Sequence, residues 1–199
     1  MKSIAIFCGS TPGADPRFAQ TATDVGRALA RAGITVVYGG GRVGLMGIVA
    51  DAALAEGGKV IGVIPRAMVE AERGHHGVTK LHVVTTMHER KALMADLSDG
   101  FVALPGGYGT LDELFEIITW AQLAFHAKPV ALLNDGGFYQ PLLNFLDSVV
   151  TAGFIQPRFR SMLMSSDSVD DLLPMLAAYH PPAGAGWARP IERTPDAPH

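Results

Sequence analysis

The segment Phe101-Val102-Ala103-Leu104-Pro105-Gly106-Gly107-Tyr108-Gly109-Thr110-Leu111-Asp112-Glu113 decides how this chain is read. Its first four residues are apolar and read as a buried strand. Pro105 ends that strand, because proline has no N–H to give to a ladder. Gly106, Gly107 and Gly109 then let the backbone turn sharply and approach a ligand without Cβ atoms in the way. Residues 111–125 predict a helix, with apolar positions at Leu111, Leu114, Phe115, Ile118 and Leu123. A glycine-rich turn from strand to helix presents backbone N–H groups and the positive end of a helix dipole. That arrangement suits an anion, and phosphate above all.

Thr110 and Glu113 admit two readings. In a capping box, the threonine caps the helix and the glutamate three residues on bonds back to it. Alternatively, Glu113 projects from the first helical turn toward whatever the glycines bind. The capping box explains these two residues but not three glycines after a proline.

With 199 residues, of which 48% are hydrophobic and 18% charged, the chain predicts one compact domain with a real core. The net charge of −3 and the lack of a Lys/Arg block weigh against nucleic acid or an anionic membrane as partner. Cys8 is the one cysteine, so no intrachain disulfide or cysteine-based zinc cluster is expected. His75 and His76 lack a third ligand at usable spacing, so no metal site is expected either. No apolar run approaches the ~20 residues of a membrane span. The apolar stretch 4–8 is too short for a signal peptide. A cytoplasmic location is expected.

Outward from the central segment, strands alternate with helices. Strands are predicted at 3–8, 34–38, 59–64, 81–85, 101–104, 129–133 and, more briefly, 161–164. Helices are predicted at 15–31, 45–55, 87–97, 111–125, 139–152 and 169–178, with a polar loop and short helix over 66–79. The strands are continuous apolar runs, as expected when helices cover both sheet faces. The fold class is therefore α/β, a Rossmann-like doubly wound parallel sheet in a single domain over residues 1–180. Ligands of such sheets sit outside the carboxyl ends of the strands. The loops 9–13, 39–44, 85–90 and 105–110 should share that edge. Residues 181–199, rich in Pro, Ala and Gly, read as an extended or disordered tail.

Gly39-Gly40-Gly41-Arg42-Val43-Gly44 satisfies the G-x-G-x-x-G pattern of dinucleotide sites. Two features argue against NAD. The motif follows the second predicted strand, and the acidic residue expected about 20 positions on, for the ribose hydroxyl, is missing. A nucleoside monophosphate or sugar phosphate fits both glycine turns, with Ser10, Gly40, Gly41 and Gly44 as candidate loop residues.

Met87-His88-Glu89-Arg90-Lys91 reads in one way as an ordinary charged helix start. In another, Arg90 and Lys91 clamp a phosphate or carboxylate. His88 alone reads as a surface histidine.

The chain resembles the LOG ("Lonely guy") family of cytokinin riboside 5′-monophosphate phosphoribohydrolases. The resemblance rests on M-H-x-R-K at 87–91, P-G-G-x-G-T-x-x-E at 105–113 and G-G-G-x-x-G-L-M-G at 39–47. It extends over residues 4–178, including Cys8-Gly9-Ser10 and Ile117-Ile118-Thr119-Trp120-Ala121-Gln122. The label "possible lysine decarboxylase", carried by many relatives, is not transferred. The resemblance implies a homodimer that hydrolyses the N-glycosidic bond of a nucleoside 5′-monophosphate to free base and ribose 5-phosphate. It implies Arg90 and Glu113 as the catalytic pair. It places Lys91, Gly106, Gly107, Tyr108, Gly109, Thr110, Leu111, Asp112 and Thr119 around the nucleotide, with Glu72 near the base. It implies no cofactor and no metal.

The chemistry is coherent with these residue types. Cleavage of the C1′–N bond passes through a ribosyl cation, which a carboxylate stabilises or supplies with an oriented water. Two other functions fit the same turns: a broader AMP or nucleoside-monophosphate nucleosidase, and a non-catalytic nucleotide or cofactor carrier.

Overall fold

The structure is a computed structural model that describes residues 1–69 and 74–182. The expected tail falls almost wholly outside these residues. Seven parallel strands form one sheet: β1 (Ser3–Phe7), β2 (Thr35–Tyr38), β3 (Val60–Pro65), β4 (Lys80–Val84), β5 (Gly100–Ala103), β6 (Val130–Leu133) and β7 (Leu163–Ser166). Their order is β4-β3-β2-β1-β5-β6-β7. The chain therefore winds outward from β1 in one direction, returns, and winds outward from β5 in the other. Between β1 and β5 the connections diverge, which opens a crevice at the carboxyl edge. The register pairs Phe7 with Ala103 there, and the Gly9 N–H donates to the Pro105 carbonyl at 3.0 Å. The two loops that flank the crevice are thus hydrogen-bonded to each other.

The helices are α1 (Pro16–Arg31), α2 (Gly44–Ala55), α3 (Arg66–Val69), α4 (Met87–Asp96), α5 (Tyr108–Gln122), α6 (Gln140–Thr151), α7 (Pro157–Arg160) and α8 (Val169–Ala177). The alternation of side chains along β1 explains the two cores. Ile4, Ile6 and Cys8 face the layer built with Val25, Leu29, Val49 and Leu172, from α1, α2 and α8. Ala5 and Phe7 face the layer built with Met94, Leu114, Ile117 and Leu143, from α4, α5 and α6. Both sheet faces are covered, which is why the strands read as unbroken apolar runs.

Two local expectations are revised. The helix after the glycine turn begins at Tyr108, three residues earlier than its apolar period suggests, with Gly107 as N-cap and no side-chain cap. Thr110 is then the third helical residue, and the capping box at Thr110–Glu113 does not form. The capping box belongs to α4 instead, where Thr86 and Glu89 bond reciprocally. The last strand lies two residues later than its apolar pattern suggests, because the short helix α7 occupies the preceding turn.

Candidate active site

Arg90 sits in the first turns of α4, a helix start fixed by the Thr86–Glu89 box. Its side chain points back across the carboxyl ends of the sheet and is only 7% exposed. Nε donates to the Val63 carbonyl at 3.1 Å and Nη2 to the Gly39 carbonyl at 3.1 Å. The guanidinium is thereby bound to the ends of two strands. Gly39 is obligatory to this packing, since a Cβ there would lie 1.8 Å from Nη2. The remaining nitrogen, Nη1, faces the Glu113 carboxylate at 3.8 Å and the Met87 sulfur at 3.8 Å.

Glu113 comes from the second turn of α5, and its side chain is 11% exposed. The pair is therefore largely withdrawn from water, where charge–charge interactions are screened less than at the surface. Cys8 lies beside it. Burial first, and then the Glu113 charge, push the Cys8 thiol far up, while Arg90 pulls it partly back. Cys8 is thus a neutral wall of the site.

The start of α5 supplies the other half. Its first intrahelical bond runs from Leu111 N–H to the Gly107 carbonyl. Helix geometry leaves the N–H groups of Tyr108, Gly109 and Thr110 without an intrahelical acceptor. Gly106 is required by close approach: a Cβ there would meet the Thr110 hydroxyl at 2.1 Å and the Gly9 nitrogen at 2.9 Å.

These groups share one cleft of about 250 Å3. Of the residues singled out in the sequence, Ser10, Arg90, Gly107, Tyr108, Gly109, Thr110, Asp112 and Glu113 line it. Others lie elsewhere. Lys91 bridges α4 to α5, with its ammonium 3.2 Å from Asp112 and 3.0 Å from Glu116. Burial pulls that ammonium down, but the bonds to Glu116 and Asp112 outweigh it and raise it. Thr119 is exposed, and its hydroxyl donates to the Phe115 carbonyl at 2.7 Å. Leu111 packs against the core between the sheet and α5. Gly40 packs on Ile64 and Leu81, Gly41 forms a bridge with Gly74, and Gly44 packs on the backbone of Ser10. Gly106 lies under Thr110, and Glu72 lies outside the described residues.

The cleft also contains residues that sequence reasoning passed over: Met46, Met68 and Met87. Met46 and Met87 stand inside the quoted motifs, but a methionine reads as generic core. Met68 carries no local signal. Among the described residues, no group of His, Cys, Asp and Glu side chains is arranged to hold a metal ion, and no helix is long and apolar enough to cross a membrane.

A helix start with free N–H groups, a buried Arg–Glu pair and methionine side chains in one cleft, all at the switch point of a doubly wound sheet, define a Rossmann-like protein whose cleft has the chemistry to suit a small anionic ligand. Comparison with known proteins narrows the class. The family model described as "possible lysine decarboxylase" matches residues 46–176. The chain is 50% identical over 170 residues to the cytokinin riboside 5′-monophosphate phosphoribohydrolase of Rhodococcoides fascians, covering 85% of this chain and 86% of that protein. It is 46% identical over 180 residues to the Arabidopsis thaliana cytokinin riboside 5′-monophosphate phosphoribohydrolase LOG3, covering 90% and 84%. The chain belongs to the LOG family. Among solved structures, the molybdenum cofactor binding protein of Rippkaea orientalis superimposes with a TM-score of 0.68 at 22% identity, over 88% of this chain and 95% of that one. The molybdenum cofactor carrier protein of Chlamydomonas reinhardtii gives 0.67 at 21%, over 89% and 99%. At that identity the likeness speaks for the shared fold.

Proposed function

We propose that this protein hydrolyses the N-glycosidic bond of cytokinin riboside 5′-monophosphates, giving the free N6-substituted adenine and ribose 5-phosphate. One observation carries the reading: the buried Arg90–Glu113 pair opens into the same cleft as the N-terminus of α5. A binding protein needs the anion site but has no use for a carboxylate held next to it.

In this reading the 5′-phosphate takes the N–H groups of Tyr108, Gly109 and Thr110, with Ser10 opposite. The ribose extends toward Glu113, about one turn further along the helix. The C1′–N9 bond breaks and its electron pair leaves with the base. Glu113 faces the positive charge that develops at C1′ and orients the attacking water, whose oxygen bonds C1′. One water proton remains on the new hydroxyl and the other ends on the base. Arg90, tied to Val63 and Gly39, holds Glu113 in position. Binding of the remote phosphate supports the rate by fixing the ribose.

The acting unit in this proposal is a homodimer in the cytoplasm. Phe115, Leu123 and Phe125 lie 37%, 41% and 57% exposed along α5 and its end, an apolar run that a second copy would cover. A lone buried thiol suits a reducing compartment.

The test is a panel of nucleoside 5′-monophosphates incubated with purified protein. Free base and ribose 5-phosphate should appear together from N6-isopentenyladenosine 5′-monophosphate. Binding of nucleotide with no base release would point to a carrier instead.

A further inference from the structure

Three groups of residues line the cleft: the glycine turn with Ser10, Arg90 with Glu113, and the methionines Met46, Met68 and Met87. If the phosphate occupies the first and C1′ the second, as in the function proposed above, the base falls to the third. The inference rests on that reading. Methionine side chains offer soft, adaptable apolar surface rather than a fixed array of donors and acceptors.

The three methionines are not held alike. Met46 is 6% exposed, and Met87, though 39% exposed, has its sulfur 3.8 Å from Arg90 Nη1. Met68 is half-buried on α3, a helix of four residues. One turn of helix does not hold itself in place. α3 packs on β3 and β4, and the bonds that tie its end to α2 and to the 39–44 turn run through Gly74 and His75. The Gly74 N–H donates to the carbonyl of Val69, the residue after Met68, at 2.9 Å. The His75 N–H donates to the Gly40 carbonyl at 2.9 Å, and Gly41 and Gly74 form an antiparallel bridge. The imidazole completes the tie. Its Nδ1 lies 3.2 Å from the Gly77 amide, which can only donate, so the ring proton sits on Nε2. Nε2 donates to Asp51 of α2 at 2.8 Å, with the ring only 12% exposed.

We propose that His75 is a positioning residue that holds Met68 against the base end of the cleft, by way of Gly74 and Val69. Met68 so held selects adenine nucleotides with an apolar N6 substituent over AMP.

Steady-state base release from N6-isopentenyladenosine 5′-monophosphate and from AMP tests this on the full-length protein. Met68→Ala should lower the ratio of kcat/KM for the substituted nucleotide over AMP by about tenfold, mainly through KM, as expected when an apolar side chain of this size no longer packs on the substituent. Met68→Leu should retain the ratio. His75→Ala should lower it by about threefold or more, again through KM, because a loosened α3 keeps Met68 on the base for only part of the time. His75→Gln, whose amide nitrogen can still donate to Asp51, should restore it. Equal losses on both substrates in His75→Ala, or an unchanged ratio in Met68→Ala, overturn the inference. A wild-type protein that releases base from neither nucleotide overturns the hydrolase reading itself, which is a different result.

Discussion

The Arg90 guanidinium faces the Glu113 carboxylate at 3.8 Å across the carboxyl edge of the sheet, and neither side chain is more than 11% exposed. The two residues lie 23 positions apart on different helices, and only the return of the chain through β5 brings them together. The geometry is that of a held carboxylate, with the arginine anchored to two strand ends by Nε and Nη2.

Glu113→Gln keeps the shape of the side chain and removes its charge. Base release should fall by about 10²–10⁴, the range for loss of a positioned acid–base group. Circular dichroism and the melting temperature should stay close to wild type. A mutant that hydrolyses at near wild-type rate would take the carboxylate out of the mechanism.

Arg90→Met takes the donor from two strand-end carbonyls and the facing cation from a buried carboxylate. The cost should be about 3–5 kcal/mol, or a melting point lower by about 10 °C for a chain of this size. The double variant Arg90→Met with Glu113→Gln should be more stable than the single arginine variant, because the charge left facing an apolar side chain is gone. A thermal double-mutant cycle reads this coupling directly.

Gly39→Ala tests the same anchor from the opposite side. The added methyl would collide with Arg90 Nη2, so the guanidinium must move. Overpacking of this kind costs about 1–3 kcal/mol. The variant should fold, bind nucleotide and lose most of its turnover, so kcat falls further than KM changes.

Cys8 supplies a pH signature. Its thiol is raised well above the ordinary value of 9.0, by burial first and then by the Glu113 charge. The native state therefore keeps its proton at pH values where the unfolded chain has lost it. The stability this contributes is complete below pH 9 and declines above it, by up to about 1.4 kcal/mol per pH unit. Tyr38 and Tyr139, both raised chiefly by burial, add the same trend above pH 10. Urea unfolding at pH 8.0, 9.0 and 10.0 should show a steeper decline for wild type than for Cys8→Ala.

The apolar run on α5 leads to a different kind of measurement. Sedimentation velocity should give a dimer for the wild type and a shift toward monomer for Phe125→Asp. Unchanged dimerisation in that variant would place the interface elsewhere.

Much of the site was legible locally, because its parts are short-range. A proline, three glycines and two acidic residues within nine positions point to a turn suited to an anion, with Glu113 readable either as a capping residue or as a group that faces the ligand. The alternation of apolar strands with helices gives a parallel doubly wound sheet. Such a sheet sends every strand-to-helix loop to one edge. The true start of α5 was hidden because Tyr108 and Gly109 show no apolar period. They are helical because the Leu111 N–H bonds back to the Gly107 carbonyl and closes the first turn around them.

The sequence by itself determined the class of fold and the glycine turn, since both follow from local spacing and backbone chemistry, while the pairing of Arg90 with Glu113 was expected only from the resemblance to the LOG family. Tertiary structure alone decided that Arg90 is tied to Val63 and Gly39, that Lys91 bridges two helices, and that three methionines from separate elements line the same cleft. Those relations depend on strand order and on the direction of side chains across the sheet edge. The distance between residues along the chain does not encode them.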